Sequence, residues 1–285
     1  MPARYSPGAV GWTESLLPAA TSTGGGNGSL VVPAPSSSAT VTKLLVLGIG
    51  ESGMVGQGST ADALPAGYPP ASRLEKFSAS YEWTPMSEPS HALGPNPWSA
   101  ADGPGPFLGV GWASLFCYYL QQAYPSYTVG FIPCGTDGAQ SGWWAAPNGA
   151  CYVPTMQRAI AAVQDPNAKL VAILHEQGIN DATQLLLPGW GTRWSAIETA
   201  MRTELGYTDK WYFARQHNAI PAGADAQWST LLSEQSAWAS TDRILVQKPE
   251  GPWIDTNTHL NTSACIVMAQ RAFAAWQANH AWNPP

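Results

Sequence analysis

Charge is what this 285-residue sequence has least of: Asp, Glu, Lys and Arg together make 11%, with 13 basic against 19 acidic residues for a net charge of −6. About 25% is usual. With no basic surplus to displace counterions from a phosphate backbone, a nucleic-acid partner is not expected. Long apolar runs are missing too. The longest, Phe107 to Leu120, contains Gly and Ser and stops at Gln121, too short to span a bilayer, so no membrane partner is expected either. No basic start followed by an apolar stretch marks a secretory signal at the N-terminus. The four cysteines (Cys117, Cys134, Cys151, Cys265) show no CxxC and no His/Cys spacing suited to zinc, and no metal or other cofactor is implied. Cys134 and Cys151 are spaced to pair across the intervening loop, and reduced, buried thiols fit equally well.

Gly (28), Pro (25) and Trp (14) are plentiful instead, and a hydrophobic content of 45% excludes wholesale disorder. The surface must then be covered largely by Ser, Thr, Asn, Gln and Gly, which suits an extracellular or virion-associated protein better than a cytoplasmic one. Residues 1–40 read as a flexible lead-in rich in Gly, Ser and Pro (TSTGGGNGS over Thr21–Ser29, PAPSSS over Pro33–Ser38). Residues 41–285 read as one domain.

From Lys43 the pattern is regular. Continuous apolar runs over Lys43–Ile49, Tyr127–Pro133, Lys169–His175, Lys210–Gln216 and Arg243–Lys248 predict strands buried on both faces. Helical stretches lie between and after them: Gly111–Ala123, Tyr152–Gln164, Trp194–Leu205, Ala226–Ala239 and Thr262–Ala278, the last capped by Asn261 or Thr262. Strands alternating with helices imply a parallel sheet of about five strands with helices on both faces. Met54 to Pro106 lacks periodicity and reads as a long functional loop over the rim.

Ligands of open parallel α/β sheets bind beyond the carboxyl ends of the strands. The residues just past each predicted strand are therefore informative. After the first comes Gly48-Ile-Gly-Glu-Ser52-Gly-Met54; after the second, Cys134-Gly-Thr-Asp-Gly138; after the third, Glu176-Gln-Gly-Ile-Asn180-Asp181; beyond the fifth, Asp255-Thr-Asn-Thr-His259. A serine, glycines, an amide and an Asp/His pair on one rim are the parts of a serine hydrolase. Gly48-x-Gly50-x-x-Gly53 also matches the dinucleotide fingerprint, but the next stretch, VGQGSTADALPAGYPP, cannot make the helix that fingerprint requires. The G-x-S-x-G nucleophile elbow fails at Met54.

These four blocks resemble those of the SGNH (GDSL-like) hydrolases, closest to the branch of sialate O-acetylesterases and carbohydrate acetylesterases. Gly50-Glu51-Ser52-Gly53-Met54-Val55-Gly56 resembles G-Q-S-N-M-x-G. Pro133, Gly138 and Trp144 fall in the second block, His175 to Asp181 resemble W-x-Q-G-E-x-D, and Asp255…His259-Leu260 resemble D-x-x-H-L. The resemblance spans about Lys43 to Trp276. It departs at Glu51, Gly53 and Ile179, where the branch has Gln, Asn and Glu, and at the three residues, rather than two, between Asp255 and His259.

The resemblance implies a three-layer α/β/α sandwich with a flavodoxin-like sheet. It implies a metal-free esterase removing short acyl groups, most often acetyl, from carbohydrate hydroxyls or small esters. Ser52 would be the nucleophile, His259 the base and Asp255 its orienting acid. The oxyanion hole would comprise the Ser52 and Gly138 amides and the Asn180 side chain, with Gly135 competing with Gly138. Glu51, Gly53, Gly135, His175 and Gln177 are candidate lining residues, and Trp143, Trp144 and Trp190 candidate platforms for a sugar ring. Other readings stay open: a turn serine, an exposed loop histidine, a cap or turn asparagine and an Asx-turn aspartate. A catalytically weak carbohydrate-binding or virion-decoration module, or a short-chain lipase or thioesterase, would use the same scaffold.

Overall fold

In the computed structural model residues 40–282 are described, except 71, 79, 91–108 and 256, so all but the last residue of the expected lead-in lies outside the described residues. The buried apolar runs form strands where their periodicity predicts them. These are β1 (Lys43–Gly50), then, beyond two short strands β2 (Leu74–Phe77) and β3 (Trp83–Pro85), β4 (Thr128–Gly135), β5 (Ala168–Glu176), β6 (Trp211–Arg215) and β7 (Arg243–Gln247). They make one seven-stranded sheet in the order β3-β2-β4-β1-β5-β6-β7, parallel throughout except at β2–β3. The five runs legible in the sequence occupy the flavodoxin-like order, with β1 between β4 and β5. The sheet is two strands wider than expected. β2 and β3 arise within the stretch read as loop, and four and three residues are too short to show a period.

Alternation along β1 explains the layers. Leu44 and Val46 point to one face, where α2 (Trp112–Ala123) and α7 (Thr262–Asn279) cover them. Leu45, Leu47 and Ile49 point to the other, under α3 (Tyr152–Val163), α5 (Trp190–Leu205) and α6 (Trp228–Trp238). The three-layer α/β/α architecture is the expected one. Tryptophan fills both interiors: Trp112, Trp144, Trp190, Trp194, Trp211, Trp228 and Trp276 are fully buried. Asn261 caps α7, its side chain accepting from the amide of Ala264 at 3.0 Å. All four cysteines are free and buried, so no Cys134–Cys151 bridge exists. Among the described residues no helix is long and apolar enough to cross a membrane.

The β1–β5 ladder slips once, leaving Val171 without a partner on β1. Its carbonyl instead accepts from the Trp276 indole at 3.0 Å, which pins α7 to the middle of the sheet. Trp276→Phe keeps a ring in the Phe116–Phe273–His280 cluster but orphans that carbonyl. We expect a loss of about 1–3 kcal/mol, read as a lower urea midpoint at unchanged slope; an unshifted midpoint would show that the carbonyl finds another donor.

Candidate active site

The chain crosses from β1 to β4 on one side and returns to β5 on the other, so the sheet's switch point lies at the carboxyl end of β1. At this point the backbone is crowded. A Cβ on Gly50 would fall 1.9 Å from the Glu176 carbonyl oxygen, and its φ is +129°. Only glycine fits. The next amide, that of Glu51, donates to the same carbonyl at 2.8 Å. The chain then turns out of the sheet into the single-turn helix α1 (Ser52–Val55), which starts on Ser52.

Ser52 Oγ lies 2.9 Å from His259 Nε2, joining groups 207 residues apart. His259 Nδ1 lies 2.6 Å from Asp255 Oδ2. A carboxylate only accepts, so Nδ1 carries the hydrogen and the Nε2 lone pair faces the serine hydroxyl. The other Asp255 oxygen accepts from the amides of His259 (2.9 Å) and Thr258 (3.1 Å). Asp255 is thus both an Asx-turn residue and the partner of the imidazole. This explains how it reaches Nδ1 across three intervening residues. Partial burial works to raise the Asp255 carboxyl, but the amide and ring of His259 and the Thr258 amide outweigh it and hold it below the usual range. An isolated antiparallel bridge, Trp253 with Leu260, closes this loop at its base.

Glu51 turns inward and is fully buried. Its carboxyl group accepts from the amides of Ile179 (2.8 Å) and Asn180 (2.9 Å) and from Asn180 Nδ2 (2.7 Å). The turn carrying Ser52 is thereby tied to α4 (Ile179–Thr183). One Asn180 amide hydrogen is spent on Glu51 and one is left. Burial raises Glu51 to about 8 against those two amides, and the nearby charges of Asp181 and Glu176 raise it further. Gly135 is the last residue of β4, paired with Gly50. Gly138 stands on the exposed turn beyond it, at φ +71°.

Gln177 does not line an open site. It is fully buried, donating to the Ala139 carbonyl (2.7 Å) and to Asp181 (3.1 Å). Asp181 accepts the Ser141 hydroxyl at 2.6 Å and is structural. His175 points to the other face of the sheet, its ring 3.8 Å from Trp194 and near Trp190, Trp211 and Trp238. Burial lowers it to about 3; it is a neutral core residue, because the strand's alternation turns it away from the rim. Trp144 and Trp190 are buried, so neither can stack on a sugar, whereas Trp143 is half-buried. Among the described residues no group of three or more His, Cys, Asp or Glu is placed to hold a metal ion.

Two further residues border the serine without having stood out in the sequence. Glu176 and Lys248 form an ion pair of 2.6 Å with each side chain 1% exposed. With Ser52, Gly53, Gln57, His259, Leu260 and Cys265 they line a small cavity beside the Ser52 hydroxyl. Lys248 ends one predicted strand and Glu176 is the first residue past another, both at the binding rim, which is the one signal the sequence offers for them.

The family described as carbohydrate esterase, sialic acid-specific acetylesterase, matches residues 42–278. An Arabidopsis thaliana protein is similar in structure at 19% identity and TM-score 0.69, over 83% of this chain and 98% of that one. NanS is similar at 12% identity and TM-score 0.62, over 84% and 98%. A carbohydrate acetylesterase from Xanthomonas citri is similar at 15% identity and TM-score 0.56, over 83% of this chain and 56% of that one. At these identities the likeness is one of fold. No curated protein gives a significant match.

Glu51 binds its proton near pH 8 when folded, against an ordinary value of 4.5. Between these values the folded state holds more protons, so stability from this group is complete below about 4.5 and is lost as the pH rises through about 8. Glu51→Gln should flatten that slope, a difference of up to a few kcal/mol. Urea midpoints for both proteins between pH 5 and pH 9 measure it, and parallel curves would contradict it.

Proposed function

Because the chain belongs to the carbohydrate esterase family of sialic acid-specific acetylesterases, we propose that it is a serine esterase that removes acetyl groups from carbohydrate hydroxyls through an acyl-enzyme. The observation that carries this reading is the 2.9 Å contact between Ser52 Oγ and His259 Nε2. His259 takes the Ser52 proton as Oγ bonds to the ester carbonyl carbon. Asp255 holds the ring and stabilises the imidazolium. The carbonyl oxygen becomes an oxyanion, and three donors would receive it: the Ser52 amide, which at the first position of α1 has no intrahelical acceptor, the Gly138 amide, and the remaining hydrogen of Asn180 Nδ2. One such donor is worth about 2.7–4 kcal/mol of barrier. Collapse breaks the bond to the sugar oxygen, which leaves with the proton from His259. Water, deprotonated by His259, then releases acetate and restores Ser52.

Glu51 supports this reading where the sequence departs from its branch. Its carboxyl group occupies one hydrogen of Asn180 and orients the other, a task a buried acceptor performs well. The restricted cavity beside Ser52 supports a short acyl group over the chain of a lipase or thioesterase substrate.

Ser52→Ala should lower kcat/KM for p-nitrophenyl acetate by at least about 10⁴-fold with an unchanged melting curve. Turnover undiminished in that variant would remove Ser52 from the mechanism. A fluorophosphonate probe should label the native protein at Ser52. No adduct under conditions that label other serine esterases would favour a binding or virion-decoration module.

A further inference from the structure

Beside Ser52, a buried carboxylate and ammonium close a small space that an ester's tail could enter. Glu176 reaches it through a gap that only Gly53 leaves: a Cβ at position 53 would fall 2.0 Å from Glu176 Oε1. The Trp112 indole donates to the other Glu176 oxygen. Lys248 Nζ approaches Glu176 Oε1 at 2.6 Å, Gln216 Oε1 at 3.2 Å and the Thr258 carbonyl at 3.5 Å. Neither charge can retreat. Each is held from two directions, and unpairing either at 1% exposure would be strongly unfavourable. Gln57, Leu260 and Cys265 complete the wall. Burial raises the Cys265 thiol to about 12, so this wall is neutral.

The enclosed part of the cavity has room for about one water-sized group. Two substituents of a tetrahedral carbon on Ser52 need a place, the acyl tail and the sugar oxygen. A sugar cannot enter a space of this size, so it must lie on the open side and the tail must point inward. A methyl fits. Each further methylene would have to displace or desolvate a pinned ion pair.

Resting on the esterase reading, we propose that the Glu176–Lys248 pair is the floor of the acyl pocket and sets the specificity for acetyl over longer acyl groups. Gly53 is its precondition, since a side chain there would expel the Glu176 carboxylate.

The test is the ratio of kcat/KM for p-nitrophenyl butyrate to that for the acetate. In the native protein we expect the ratio to be below one tenth. In the double variant Glu176→Ala with Lys248→Met, which removes both charges together and opens the floor, it should rise at least tenfold. A charge-free replacement of a buried pair is the version best tolerated by folding. A folded double variant with an unchanged ratio would overturn the proposal, as would native protein that turns over butyrate as fast as acetate. Inhibition of the native protein by methylboronic and butylboronic acids needs no variant. Methylboronic acid should bind at least tenfold more tightly, and equal affinities would count against the floor. Absence of both ester turnover and labelling of Ser52 would instead sink the esterase reading, and the acyl pocket with it.

Discussion

The approach of β1 to the end of β5 is the constraint on which the site depends. At Gly50 the two backbones are so close that a methyl would meet the Glu176 carbonyl at 1.9 Å. The chain leaves the sheet just past this glycine, between β4 and β5. Leaving at the switch point puts Ser52 at the crevice instead of against a helix layer. It also sends the Glu51 side chain under the turn, to the start of α4. The His259 loop needs only to fold back from the end of β7 to meet the serine.

Around that turn the protein buries several ionisable groups: Glu51, Glu176, Asp181 and Lys248. A buried ion pair such as Glu176–Lys248 contributes little net stability, because desolvation cancels most of the attraction. What these groups supply is orientation. Glu51 binds the Ser52 turn to Asn180, and Lys248 binds Glu176 to the carbonyl of Thr258, next to His259. Ser52 is thus held by two polar braces, one on each side. Asp255 is placed differently: it is 43% exposed, and its own turn sets its position more than burial does.

Much of the fold was legible because parallel strands buried on both faces are continuous apolar runs, and five such runs are long. β2 and β3 were not, being three or four residues whose pairing with β4 and with each other decides their state. Ser52, His259 and Asp255 could be read because a turn after a strand and an Asp/His pair before a capped helix are local patterns. His175 illustrates the opposite. It ends a predicted strand at the rim, yet alternation sends its ring into the tryptophans of the far layer. Gln177 stands two residues on and is consumed by internal hydrogen bonds.

The sequence alone determined the alternation of strands and helices, the turn that carries Ser52 and the loop that carries His259, since each depends on residues near one another in the chain. Tertiary structure decided which charges meet. That Gly53 leaves space for Glu176, that Lys248 balances it, and that Glu51 holds Asn180 are consequences of strands from distant parts of the chain ending at one rim. Their spacing in the sequence carries no trace of the distances that make them interact.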